Sequence, residues 1–313
     1  MSWHGADDPI AGDTFSCDAI KTLIVPRSRD LGSFAVRRAL PSAECRMVGP
    51  FIFFDQMGPS EFLLGQGMDV RPHPHIGLAT VTYLFDGGLS HRDSLGTVID
   101  IAPGAVNWMT AGSGIVHSER SPGDERAHGP VLSGIQTWLA LPDEKEEMAP
   151  DFEHVAAADL PTLEANGARA RIIMGNLWGQ RAPTTTYAGT IYADIVLDPG
   201  AAVPIDATAD ERAIYLAFGE ATLEGVPLEP MKLYVLRPGI AATLRSDTGG
   251  RAMLAGGDAF TTPRHVWWNF VSSRRERIEE ARRAWTAGEF PVVPGDDQEW
   301  IPIPQVPNTV SYP

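Results

Sequence analysis

The sequence predicts an all-β protein built from short antiparallel strands. Segments rich in β-branched and aromatic residues are short, they end at Gly, Pro or Asp turn signals about every eight to twelve residues, and helical periodicity is rare. These observations are typical of an antiparallel barrel or sandwich, and they argue against alternating βαβ units.

Length and charge set the first limits. A chain of 313 residues predicts one large or two medium domains. The formal net charge is −15 and no run of Lys and Arg reverses it locally, which disfavours direct nucleic-acid binding but is compatible with a basic protein partner.

Two cysteines, Cys17 and Cys45, are far apart in sequence, so neither a disulfide framework nor a thiolate zinc site is expected. We find no secretory signal pattern and no apolar stretch long enough to span a membrane. The prediction is a cytoplasmic protein without membrane contact.

The first half of the chain begins with a mixed, acidic segment, residues 1–20, which we expect to be a surface arm. Alternating or β-rich runs then predict strands at 21–26, 33–38, 47–55, 77–85, 97–102, 106–110, 115–119 and 136–141. Glycine and proline turns separate these strands.

The second half carries a similar series, with strands predicted at 169–175, 190–197, 213–218, 232–236 and 251–255. The turns Asp198-Pro199-Gly200 and Arg237-Pro238-Gly239 echo the strand-ending turn Ala102-Pro103-Gly104, which suggests an internal repeat. We therefore expect two tandem domains, residues 1–145 and 146–313.

One helix is predicted near the C-terminus. Ser273 and Glu276 fit a capping box, apolar residues recur at helical spacing, and Gly288 ends the run, so the helix should cover about residues 274–287. The proline-rich tail, residues 296–313, is expected to run extended over the surface.

The candidate functional site consists of two short motifs. In extended backbone, His73 and His75 point to one side, and so do His117 and Glu119. A lone His-x-His pair is weak evidence, because about 0.2 such pairs are expected by chance with eight histidines in this chain. Two pairs brought face to face by hairpins would offer three imidazoles and one carboxylate to one metal ion.

Such a donor set suits one divalent first-row transition metal better than calcium or magnesium. Iron(II) fits, and so do manganese, nickel, copper and zinc. No histidine occurs between His154 and His265, so the second half cannot form an imidazole site of its own.

Other residues have simpler interpretations. His91 follows the Gly87-Gly88 turn and is expected at the surface, with a supporting role beside the metal ligands as the alternative. The apolar residues expected in the core rather than around a substrate are Phe51, Phe53, Phe54, Trp108 and Met109.

Several motifs resemble the cupin family, and within it the pirin branch. They are Gly49-Pro50-Phe51-Ile52-Phe53-Phe54-Asp55, His73-Pro74-His75-x-Gly77, Trp108-Met109-Thr110-Ala111-Gly112-x-Gly114-Ile115-Val116-His117-x-Glu119, Gln136-x-Trp138 and Trp268-Asn269-Phe270-Val271-Ser272-Ser273.

The resemblance implies two tandem antiparallel β-barrel domains with a short C-terminal helix, of which only the first keeps a metal. It also implies that the ligands are His73, His75, His117 and Glu119. One position departs from the family, which has Glu where this chain has Ala79.

Some pirin-like proteins act as quercetin 2,3-dioxygenases. The resemblance therefore implies cleavage of a flavonol or similar enolic aromatic substrate by dioxygen, with Glu119 as a candidate general base. The alternatives are an iron-binding, redox-sensitive regulator acting through a protein partner, and a metal-bound fold without catalysis. The oligomeric state is open, with a monomer favoured.

Overall fold

The computed structural model describes residues 19–30, 34–305 and 310–312; the predicted arm, apart from its last two residues, lies outside these ranges. The first strands are β1 (Ile20–Ile24), β2 (Arg27–Asp30), β3 (Ala35–Leu40), β4 (Phe51–Glu61), β5 (Asp69–His75), β6 (Leu78–Asp86), β7 (Leu89–Asp93), β8 (Val98–Ile101), β9 (Val106–Thr110), β10 (Ile115–Arg120), β11 (Val131–Ala140) and β12 (Asp151–Val155). A short helix, α1 (Gly123–Arg126), precedes β11, and a 3₁₀ turn, Asp143–Lys145, follows it.

The later strands are β13 (Thr162–Ala165), β14 (Ala168–Met174), β15 (Asn176–Leu177), β16 (Gln180–Arg181), β17 (Thr190–Leu197), β18 (Ala201–Ile205), β19 (Glu211–Gly219), β20 (Ala221–Leu223), β21 (Val226–Leu228), β22 (Lys232–Leu236), β23 (Ala242–Ser246), β24 (Gly250–Gly257), β25 (Arg264–Trp267), β26 (Phe270–Ser272) and β27 (Val310–Tyr312). Helix α2 (Arg275–Ala287) lies between β26 and β27. The protein is therefore mostly β, as the turn spacing predicts.

Each half forms one large and one small antiparallel sheet. In the first half a seven-stranded sheet (β12-β9-β6-β11-β4-β3-β2) accompanies a four-stranded sheet (β5-β10-β7-β8). In the second half a seven-stranded sheet (β1-β22-β19-β24-β17-β14-β13) accompanies a four-stranded sheet (β18-β23-β20-β21). The repeat suggested by the turns corresponds to this shared two-sheet arrangement.

The two large sheets pack against each other through an apolar layer. In β6, Ala79, Val81 and Tyr83 belong to this layer, which also contains Tyr192 and Tyr215 of the second half. Because strand side chains alternate, Thr80 and Thr82 point to the interior of the first half instead. One face of β6 thus builds the domain interface and the other face builds the wall of the first domain's interior.

A buried polar network crosses the interface. Tyr83 Oη donates to Asp194 Oδ2 over 2.7 Å, and Arg251 donates to both oxygens of Asp194 through Nε (2.8 Å) and Nη2 (2.6 Å). Asp194 is 3% exposed, so its charge depends on these partners. The network fixes the register of one large sheet against the other.

Three segments cross between the halves. Strand β1, near the start of the described chain, pairs with β22 of the second half, and β12 pairs with β9 of the first half. The β25–β26 hairpin returns to the first half, where Ile76 bridges to Phe270 and the backbone N–H of Val271 donates to the Ile76 carbonyl. Each half of the protein therefore includes strands that come from the sequence of the other half.

Helix α2 confirms the predicted C-terminal helix. Gly288 ends it with φ 70°, a left-handed conformation that glycine adopts without strain. The capping box does not form: the hydroxyl of Ser273 donates to Glu146, and Ser272 Oγ accepts from the Arg274 backbone N–H. The Ser273 hydroxyl, which the sequence pattern assigns to the helix cap, is bound instead to the buried carboxylate of Glu146.

The tail after α2 lies against the first half of the chain as far as residue 305. Arg120 binds Asp296 through Nε (3.0 Å) and Nη2 (2.8 Å), and the Ile301 backbone N–H donates to the Pro72 carbonyl. Across the described part of the chain, no helix is both long and apolar enough to cross a membrane.

Candidate metal centre

Two neighbouring strands of the small first-half sheet bring three histidines together. His73 and His75 lie on β5, and His117 lies directly opposite His73 on β10. Pro72 and Pro74 disfavour helical geometry in the residues before them, which keeps β5 extended. The spacing of two residues therefore places both β5 imidazoles on one face, as the sequence predicts.

The imidazole nitrogens converge on one point. Nε2 of His75 and Nε2 of His117 are 3.1 Å apart, and each of the three histidines offers a ring nitrogen within 4.8 Å of the others. All three side chains are buried, at 7% exposure or less. Within the described ranges, this trio is the group of three or more His, Cys, Asp or Glu residues whose ligand atoms lie close enough together to share one metal ion.

The hydrogen bonds around the trio fit a metal ion. Nδ1 of His73 donates to the Arg71 carbonyl over 2.9 Å, which leaves its Nε2 lone pair for a ligand bond. The 3.1 Å between the two other Nε2 atoms is the spacing of nitrogens about 2.1 Å from one shared ion. The donor set is that of a transition metal rather than of calcium or magnesium.

The electrostatic environment keeps the imidazoles neutral. Burial lowers the pKa of His73 to about 4, against a small opposing effect of its hydrogen bond to the Arg71 carbonyl. Burial also lowers the pKa of His75 and of His117 well below the ordinary value, and the neighbouring imidazoles lower it further. Neutral imidazole is the form that binds metals, so the site is ready for a metal at neutral pH.

Glu119 lies on the same strand as His117 but is not part of the histidine trio. The pairing of β10 with β5 shifts by one residue between these two positions, so Glu119 faces Val70. Its carboxyl group is buried and lines the same cavity. Burial raises its pKa, and a hydrogen bond with Thr82 opposes the rise. Its role as fourth ligand stays a prediction.

The surface position expected for His91 is wrong. His91 is 4% exposed, its ring stacks on Phe152 with centroids 4.5 Å apart, and its Nε2–H donates to Asp93 Oδ2 over 3.0 Å. It lies opposite Glu119 in the β10–β7 pairing, with its ring centroid 5.3 Å from that of His117. The Gly87-Gly88 turn is tight enough for β7 to turn back under the site.

A cavity of about 550 Å³ opens from the histidines. Its aromatic wall is Phe53 stacked on Trp138, with ring centroids 4.0 Å apart and planes 10° apart, and Trp138 also meets His75 edge-on at 5.0 Å. Phe53, expected in the core, is buried in one apolar cluster with Met109 and also lines the cavity, and the interface layer contains Phe51, Phe54 and Trp108.

Sequence reasoning missed several residues of this cavity. The turn of the β25–β26 hairpin supplies Trp267, Trp268 and Asn269, more than a hundred residues after the last predicted ligand. Arg38 and Asp55 line the opposite end. Asp55, Trp268 and Asn269 belong to motifs that carry the family resemblance, but neither motif indicates that these residues line the cavity of the histidines.

Ala79, where the resemblance expects Glu, points away from the cavity. It is fully buried in the interface layer between the two large sheets. A carboxylate at this position would face the second domain rather than the histidines. The departure from the family pattern therefore leaves the cavity wall unchanged.

Comparisons with known proteins extend this description. The sequence profile of the Pirin family matches residues 33–139, and that of the pirin C-terminal cupin domain matches residues 192–291. A pirin-like protein of Caulobacter vibrioides is 45% identical over 282 residues, which cover 89% of this chain and 97% of the relative.

Two solved structures show the same fold. A quercetin 2,3-dioxygenase from Acinetobacter baumannii is 34% identical with a TM-score of 0.86, over 92% of this chain and 96% of the other. A bacterial pirin from Escherichia coli in complex with nickel(II) is 17% identical with a TM-score of 0.60, over 76% of this chain and 99% of the other, a likeness of fold alone.

Fold, site and comparisons together define a protein of two tandem cupin domains with a histidine cluster in the first. Within that class, the chain belongs to the pirin family.

Proposed function

We propose that the protein is a metal-dependent dioxygenase of the quercetin 2,3-dioxygenase type, which cleaves a flavonol or a similar enolic aromatic substrate. The observation that carries the proposal is the buried histidine trio at the base of an aromatic cavity of about 550 Å³. A cavity of that volume holds a small organic molecule. The solved quercetin 2,3-dioxygenase that covers most of the chain supports the same activity.

The trio would hold one divalent first-row metal, with iron(II) as the proposed ion and Glu119 as the proposed fourth ligand. When bound, such a metal supplies Lewis-acid activation of the substrate oxygen and a redox-capable centre for dioxygen chemistry. The chain itself supplies orientation and water exclusion. The stacked rings of Phe53 and Trp138 give the cavity an aromatic lining beside His75, which suits an aromatic substrate.

Glu119 is the proposed general base. It is buried in the wall of the same cavity as the histidines, and a loose bond to the metal would leave its carboxylate free to turn toward a substrate hydroxyl. Thr82 lies beside the carboxyl group and donates its hydroxyl hydrogen to Gln136 Oε1 over 2.8 Å. The base would accept the proton of the substrate hydroxyl, which leaves the enolate that reacts with dioxygen.

Metal content and oxygen uptake test the proposal together. Protein purified without a histidine tag should contain about one equivalent of a first-row metal, and His73→Ala should lose it while the exposed His128→Ala retains it. Addition of a flavonol to the anaerobic holoprotein, followed by dioxygen, should give stoichiometric oxygen uptake. Metal without uptake would contradict the dioxygenase and favour the redox-sensitive regulator.

Glu119→Gln tests the base. We expect the variant to keep part of its metal and to lose turnover by about 100-fold or more, because a neutral amide cannot accept the proton. The matched control is Glu280→Gln, an exposed glutamate on α2, which should leave turnover unchanged. Turnover of Glu119→Gln equal to that of the unmodified protein would reject the assignment.

A further inference from the structure

The end of the cavity formed by β3 and β4 contains an immobilised arginine. Arg38 donates through Nε to Asp55 Oδ1 over 2.9 Å and through Nη2 to Asp55 Oδ2 over 2.8 Å. Its guanidinium also lies over the Phe53 ring, 4.2 Å from the centroid. A bidentate carboxylate and an aromatic face together fix the plane of the guanidinium.

This arginine keeps donors that the fold does not use. Of its five N–H groups, two serve Asp55, and Nη1 makes no hydrogen bond to any residue in the described ranges. The side chain is 25% exposed and lines the cavity. A pre-positioned donor edge of this kind suits an anionic oxygen of a ligand.

The spacing of the strands gives the size of the ligand. Arg38 pairs with Asp55, which pairs with Gln136 of β11, the strand that also carries Trp138. Two strand separations amount to about 10 Å. Arg38 lies over Phe53, Phe53 stacks on Trp138, and Trp138 contacts His75, so a bicyclic or tricyclic planar molecule alongside these rings would reach from the histidines to Arg38.

The charged side chains of the cavity lining balance in number, and the donors left on Arg38 remain available to an anion. Arg29 and Arg38 are the cationic residues of its lining, and Asp55 and Glu119 are the anionic ones. Burial raises the pKa of Asp55, and the Arg38 hydrogen bonds oppose that rise, so the pair acts as a neutral unit with donors to spare. The exposed Arg29 also lines the cavity and adds a second positive charge close enough to act on Asp55.

We propose that Arg38 determines specificity at the proposed active site, and that the substrate is a planar aromatic enol with a second acidic oxygen, a carboxylate or acidic phenol, at the end opposite its metal-binding hydroxyl. This inference rests on the proposed dioxygenase function. Arg38 contacts the far end of the substrate rather than the reacting atoms, so it acts on binding more than on turnover.

Anaerobic binding to the metal-loaded protein tests it with two probes: an unsubstituted flavonol, and the same flavonol with a carboxylate on its pendant phenyl ring. We expect the carboxylate probe to bind about 10-fold tighter or more, the effect of one charge-assisted hydrogen bond. Dissociation constants follow from flavonol absorbance. The preference should persist in high salt, which screens the exposed Arg29 but not a direct contact.

The variants separate recognition from folding. Arg38→Gln alone leaves Asp55 buried and unpaired, which can prevent folding, so the informative variant is the double change Arg38→Gln and Asp55→Asn. It should lose the preference and bind the unsubstituted flavonol within about 3-fold of the original protein. Arg37→Gln is the matched control, because the neighbouring Arg37 donates to the Gly58 carbonyl and does not line the cavity.

Equal binding of the two probes by the original protein, or a preference that survives in the double variant, would overturn the assignment of Arg38. Oxygen uptake measured on the same samples separates this outcome from failure of the proposed function. Uptake without a probe preference contradicts the specificity inference alone. An Arg38-dependent preference without uptake contradicts the dioxygenase and retains the binding site.

Discussion

The histidine trio predicts a specific acid sensitivity of the metal-free protein. His73 has a pKa of about 4 in the folded chain, against 6.5 for an ordinary histidine. Between these two pH values the unfolded chain binds a proton that the folded chain excludes. Stability contributed by the neutral imidazole is therefore complete above about pH 6.5 and is lost progressively as the pH falls towards 4.

The magnitude follows from the two pKa values. If His73 is protonated in the unfolded chain but not in the folded chain, the free energy of unfolding falls by about 3 kcal/mol in total. About 2 kcal/mol of this loss occurs between pH 7 and pH 5. His75 and His117 add to the effect in the same direction, and the trio titrates as a coupled group. Buried acids such as Glu119, with raised pKa values, act in the opposite direction.

Urea unfolding of chelator-treated protein at several pH values measures this dependence. The informative quantity is the difference between the original protein and His73→Gln, since the titration of groups that do not interact with His73 cancels in it. The unmodified protein should lose about 2 kcal/mol more than the variant between pH 7 and pH 5. His128→Gln, at an exposed site, should behave as the original. A pH dependence unaffected by His73→Gln would refute the burial argument.

Three further predictions concern the scaffold. Asp194→Asn should lower the free energy of unfolding by about 3–5 kcal/mol, because it leaves the partly buried Arg251 guanidinium without its carboxylate. Tyr83→Phe should cost only about 1 kcal/mol. Denaturant titration that gives both variants the same stability would contradict the network. Gly77→Ala should destabilise the protein by about 3 kcal/mol or more, because Gly77 has φ 67° and an added Cβ would meet the Val271 carbonyl. The matched change Gly96→Ala, at φ 90° but with open space around the added Cβ, should cost about 1–2 kcal/mol. Burial raises the pKa of the Cys45 thiol to about 11, against an ordinary value of 9.0. Alkylation of Cys45 at pH 8, followed by peptide mapping, should therefore be about 100-fold slower than that of an ordinary thiol. Rapid modification would show that the thiol is exposed.

Local sequence patterns predict much of the fold and half of the site. Gly and Pro turns mark the strand ends, and two-residue spacing puts His73 and His75 on one face, because these effects depend only on neighbouring backbone. The same locality explains the correct position of the C-terminal helix and of Gly288 at its end.

Features that depend on distant chain could not be predicted. The one-residue shift in the β10–β5 pairing, which places Glu119 opposite Val70, arises between strands and leaves no mark in either one. His91 is buried because Phe152, sixty residues later in the chain, covers its ring. Ser273 serves Glu146 rather than the helix, because a tertiary partner competes with the local cap.

The return of the β25–β26 hairpin to the first half has a consequence for biosynthesis. The histidines of the metal centre leave the ribosome early, but Trp267, Trp268 and Asn269 complete their cavity only after most of the chain has been translated. Until then the trio lacks one wall and stays accessible to any ion in the surroundings. An ion bound before that point would be held in a site still open on the side that the hairpin later closes, where it could exchange with other ions.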